Sequence, residues 1–176
     1  MAAQVPSNGL NIDKGLKFPA TANMQSDGNT LDDYEVGYYT VSFTMGSGSV
    51  GVNTSYDQAY YKKIGDNVFV QGYIEINSES SASGTARMSL PFAIADLNDR
   101  ADYACNALCF TIGSNNASTE NGNWIVTVGG DGSVARLWRN SGTNVSDDVG
   151  DDVDSSSIFM LAFNYTTSAY RRKIWQ

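Results

Sequence analysis

From Tyr38 onward the chain alternates, with Tyr39, Val41, Phe43 and Met45 on one side and Tyr38, Thr40, Ser42 and Thr44 on the other. Side chains of an extended strand point to opposite faces in turn, so a period of two marks a strand with one buried face. The same rhythm returns in AYYKKIGDNVFVQGYIEIN, which predicts a hairpin turned at Gly65-Asp66 with Val68, Val70, Ile74 and Ile76 facing inward. GTARMSLPF, ADYACNALCFTIG, NWIVTV, SVARLWR and SIFMLAFNYTT supply further strands, and Gly129-Gly130-Asp131-Gly132 predicts a turn between the third and fourth of these. The run MGSGSVG is expected to turn the chain after the first strand. About eight short strands without an amphipathic helix predict an all-β, jelly-roll-like antiparallel β-sandwich.

At 176 residues the chain is long enough for one domain with its own core. Residues 1–36 lack both strand and helix periodicity and predict an extended N-terminal arm, joined to a sandwich domain of residues 37–176. A lone extended segment cannot offset its ordering entropy without a surface to lie on. Leu16 and Phe18 are its candidate contact residues, toward another copy of the chain or an attachment partner.

Histidine is absent, which excludes Ser-His-Asp and Cys-His nucleophile systems, HExxH zinc sites and histidine acid–base catalysis. A net charge of −8 argues against nucleic acid as a partner, because tracking phosphates needs a basic footprint. No apolar run is long enough for membrane insertion, and MAAQVPSNGL lacks the regions of a signal peptide, so a protein outside the ordinary export route is expected. Cys105 and Cys109 stand four apart in one strand-like run. Their Cα atoms would then be about 13 Å apart, too far for a mutual disulfide, and small buried thiols are expected.

The block NTLDDYEVGYYTVSFTMG, Asn29 to Gly46, resembles the opening of the C-terminal, receptor-binding tip domains of bacteriophage tail-fibre proteins. Three further segments resemble that family in the same order: GLKFPATA from Gly15, AYYKKIGDNVFVQGYI from Ala59, and SLPF from Ser89. Val36 stands where the family usually has a second Glu. The resemblance covers the first half of the chain. It implies a non-enzymatic homotrimeric β-sandwich tip that binds a host surface glycan or protein, made in the bacterial cytoplasm and carried on the virion. The arm would then attach it to other tail or head proteins. For Asp32, Asp33 and Glu35 the resemblance implies a structural part at the entry to the first strand.

The candidate receptor-binding residues are Arg136, Trp138 and Arg139 in SVARLWRNSGTN. Alternation puts Arg136 and Trp138 on one face, where an aromatic ring can stack on a sugar and a guanidinium can supply directed donors. A Trp at a subunit contact with Arg around it is the alternative. In DDVGDDVDSS, Asp147, Asp148, Asp151, Asp152 and Asp154 crowd together, but the spacing is not that of a calcium loop, and a solvated loop with no metal is expected. The same carboxylates could form an acid and base pair for cleaving a polysaccharide, the less favoured alternative. Of the pairs Tyr38-Tyr39 and Tyr60-Tyr61, one member each should pack inward and the other face solvent or another chain. Trp175, in the basic end YRRKIWQ, is a further candidate subunit contact. No cofactor is expected.

Overall fold

In a computed structural model the chain is described at residues 33–97, 105–112, 123–128, 132–140 and 145–168. Among these residues lie nine strands: β1 (Tyr34–Thr40), β2 (Phe43–Val52), β3 (Gln58–Ile64), β4 (Asn67–Ser89), β5 (Cys105–Ile112), β6 (Asn123–Val128), β7 (Val134–Asn140), β8 (Val145–Ser146) and β9 (Ile158–Thr166). One 3-10 turn, Gly150–Asp152, separates the last two. Every pairing is antiparallel, and the strand order is β1-β3-β4-β9-β5-β6-β7-β8. This is the all-β sandwich that the alternation predicts.

The layers are joined through β4. Its first part pairs with β3 and β9 as far as Glu75, and from Ile76 it pairs with β2, with its last residues also meeting β7. The register against β2 slips three times, between Met45 and Ser47, Ser47 and Ser49, and Gly51 and Val52. At each slip β4 carries one more residue than its partner, and such bulges bend and twist a strand. That bending lets one 23-residue strand serve both layers.

The expected turn in MGSGSVG is therefore not a turn: the run lies inside β2, opposite the bulged part of β4. Its glycines are needed for close approach. Gly48 has φ +69°, and a Cβ there would lie 2.1 Å from the Ser81 carbonyl oxygen. The chain turns later, where the Asn53 side chain accepts from the Ser55 N–H at 3.1 Å and its carbonyl from the Tyr56 N–H at 2.8 Å. The first predicted strand is also divided. Val41 and Ser42 break the ladder where the chain leaves β3 for the second part of β4, yet the alternation runs through the break, with Val41 buried and Thr40 and Ser42 exposed.

The hairpin at Gly65-Asp66 forms as predicted, with Gly65 at φ +60°, a conformation that glycine adopts without strain. Val68, Val70, Ile74 and Ile76 are buried and meet Phe159, Phe163 and Tyr165 of β9, with Val126, Val128 and Leu137 closing the other side. Phe159 centres this core, with its ring 5.3 Å from that of Phe43 and 5.6 Å edge-to-face from that of Trp124. The Tyr165 hydroxyl donates to the Phe92 carbonyl at 3.0 Å and accepts from the Phe92 N–H at 3.1 Å, which ties the SLPF segment to β9. Cys105 and Cys109 both lie on β5, in one extended run.

β1 begins at Tyr34, so the last residues of the segment 1–36 belong to the sheet rather than to an arm. Asp33 explains the difference: it is buried in an ion pair with Lys63, and its carbonyl accepts from the Gly65 N–H at 2.8 Å. Leu16, Phe18 and Trp175 lie outside the described residues.

Candidate functional site

Arg136 and Trp138 stand two apart on β7 and share its outward face, as alternation predicts. Opposite them on β6 are Thr127 and Ile125. The indole N–H of Trp138 donates to the Thr127 hydroxyl at 2.7 Å, which ties the half-buried ring to β6. Arg139 falls on the other face, level with Trp124, so the three candidates do not form one surface.

Both arginines turn toward the acidic loop. Arg139 Nη1 lies 2.6 Å from Asp152 Oδ1, with both side chains largely covered, and Arg136 Nη1 lies 3.7 Å from Asp147 Oδ2 near the surface. Asp154 is used within its own turn, accepting from the Ser156 N–H at 2.8 Å and the Ser156 hydroxyl at 2.9 Å. The loop is seated on the bulged part of β4: Val149 N–H donates to the Gly84 carbonyl at 3.0 Å, and a Cβ on Gly150 would come within 2.5 Å of the Ser83 carbonyl carbon. The density of Asp in DDVGDD thus answers the arginines of RLWR. Among the described residues no three of His, Cys, Asp and Glu stand close enough together to hold a metal ion.

The residues of the NTLDDYE block that are described act structurally. The Asp33–Lys63 pair is almost wholly buried, with the Lys63 ammonium also 5.6 Å from the centre of the Phe92 ring. Glu35 accepts from the Tyr61 hydroxyl at 2.5 Å. Burial, together with that bond and the nearby carboxylate charge, pushes the Tyr61 pKa up to about 12. Burial also raises that of Tyr39, whose ring lies 6.5 Å from that of Tyr61. These contacts fasten β1 to β3 at the point where the chain enters the sandwich.

The outer face of β1, β3, β4 and β9 carries several exposed apolar side chains. Register sets its rows: Tyr38, Tyr60, Gln71 and Ala162 lie side by side across four strands, and the next row is Val36, Lys62, Phe69 and Asn164. Tyr38 is 69% exposed, Phe69 47% and Val36 46%. Exposed aromatic and aliphatic side chains thus share this face with Gln71, Lys62 and Asn164. The outward positions of Tyr38 and Tyr60, with Tyr39 and Tyr61 inward, follow from the paired tyrosines in the sequence. Phe69, Gln71 and Tyr73 were open to the same logic, since they fall out of phase with Val68, Val70 and Ile74, and an aromatic at an outward position is the signal.

No family model and no curated protein matches the sequence. Among solved structures the fold is similar to that of the Dettilon tailspike protein (gp208), with a TM-score of 0.60 and 15% sequence identity over 76% of this chain. The matched part is 24% of the tailspike chain, so this chain spans about a quarter of its length. At that identity the likeness is one of fold.

Proposed function

We propose that the chain is the recognition tip of a bacteriophage tail appendage, a homotrimer that binds a host surface glycan or protein and does not cleave it. The observation that carries this reading is the fold shared with a tailspike protein over 76% of the chain. The block from Asn29 and the three segments around it, which resemble tail-fibre tips, point the same way independently of the fold.

The exposed face of β1, β3, β4 and β9 supports both binding and assembly. The exposed Val36, Ile64 and Phe69 side chains there end in hydrocarbon, which suits contact with another copy. The acidic loop supports a tip without hydrolase activity, because Asp147 and Asp152 face arginines instead of each other across a cleft. Residues 1–32 would join the tip to other virion proteins of the tail.

Incubating the purified protein with bacterial cells and with extracted lipopolysaccharide, while assaying released reducing sugar, tests this. Saturable binding without released sugar is expected. No binding to any envelope fraction would overturn the recognition role, and sugar release would make the tip an enzyme. Light scattering at micromolar concentration should give three times the monomer mass of 19.0 kDa, and a monomer would overturn the trimer.

A further inference from the structure

Within the exposed face, one part differs in chemistry from the rest. A shallow open cleft is lined by Tyr38, Gln58, Tyr60, Gln71, Tyr73 and Met160. Two tyrosine pairs flank it. Tyr38 and Tyr60 meet edge-to-face with centroids 5.5 Å apart, and Tyr73 meets Tyr56 in the same way, also at 5.5 Å. Edge-to-face pairs hold rings rigid without covering them as a parallel stack would, and Tyr38, Tyr56 and Tyr73 all remain open to solvent. Gln58 and Gln71, both exposed, stand between the pairs, each offering an amide donor and acceptor.

We propose that this cleft binds a neutral oligosaccharide, with the Tyr38 and Tyr73 rings stacking on the C–H faces of successive sugars and the two glutamines bonding their hydroxyls. The proposal rests on the reading that the chain recognises a host surface, and names the site and the ligand class.

Three features select this occupant. No lining residue is charged, and the chain as a whole carries −8, so an acidic polymer would find no cation in the cleft and a repelling body around it. Apart from Met160 and the buried Leu161, the cleft's side chains end in a hydroxyl or an amide, whereas the exposed Val36, Ile64 and Phe69 on the same face end in hydrocarbon and better suit a contact between copies. Finally, an open sheet face admits an extended polymer, which an enclosed pocket would not.

The test uses immobilised glucan, mannan and galactan beside polygalacturonate and a bacterial lipopolysaccharide whose O-polysaccharide is uncharged, with wild type, Tyr38→Ala, Tyr73→Ala, and Gln58→Ala with Gln71→Ala. The expected result is saturable binding to at least one neutral polymer and to lipopolysaccharide, none to polygalacturonate, and about a fivefold to tenfold loss of affinity in each tyrosine variant. Exposed tyrosines can be removed without unfolding the sandwich, and an unchanged thermal melt checks this for each variant. Unchanged lipopolysaccharide binding in both tyrosine variants would overturn the cleft while leaving the recognition role standing. Preference for polygalacturonate would overturn the neutral ligand. A variant that loses its trimer before its sugar would make the cleft a subunit contact. Absence of binding by the wild type to every polymer and to lipopolysaccharide would overturn the saccharide ligand, and absence of binding to whole cells as well would remove the recognition role itself.

Discussion

Breaking the Asp33–Lys63 pair tests how the chain enters the sandwich. Both side chains are no more than 5% exposed, so removing one partner leaves a charge with little access to water. Loss of one member of a buried pair typically costs about 3–5 kcal/mol. Lys63→Met should show the full cost, because it strands the Asp33 carboxylate. Asp33→Asn should cost less, about 2–3 kcal/mol, since the amide oxygen can still accept from the ammonium and the Phe92 ring remains 5.6 Å from it. The double variant Asp33→Asn with Lys63→Met removes both charges and should be more stable than Lys63→Met alone. Urea melts at one fixed protein concentration read all four corners of the cycle, and a coupling of about 2 kcal/mol or more is expected. Single variants within about 0.5 kcal/mol of wild type, or a double variant equal to the sum of the singles, would refute the argument.

Three further outcomes follow from the geometry. Tyr61 has a pKa raised to about 12 in the folded chain, so its contribution is complete below the ordinary tyrosine value of about 10 and is lost as pH rises through 12; Tyr61→Phe should flatten that alkaline loss in a pH series of melts. Gly150→Ala places a Cβ against the Ser83 backbone and should cost about 1–3 kcal/mol, measured by chemical denaturation. Phe159→Ala opens a cavity between Phe43 and Trp124 and should cost about 3–5 kcal/mol by the same measurement.

Much of the sandwich is legible in the sequence because its signals are local. Val68, Val70, Ile74 and Ile76 announce an inward face by period alone, and Gly65-Asp66 announces its turn. MGSGSVG misleads because its strand character comes from its partner: the extra residues that make the bulges belong to β4, some thirty positions later. The Arg136 and Trp138 pairing on one face is readable, but the salt bridges that engage Arg136 and Arg139 need the loop to fold back over β7, which no spacing reveals. The tyrosine cleft is hidden for the same reason. Each tyrosine is ordinary on its own strand, and only the register of β1 with β3 and of β3 with β4 sets Tyr38, Tyr60 and Gln71 in one row.

The proposal that this chain is the tip of a tail appendage is open to direct observation. Gold-labelled antibody raised against residues 37–176 can be applied to intact particles of the phage that encodes the chain and viewed by negative-stain electron microscopy. Label at the distal end of the tail or its fibres is the predicted result. Label confined to the head, or particles that carry none, would contradict it.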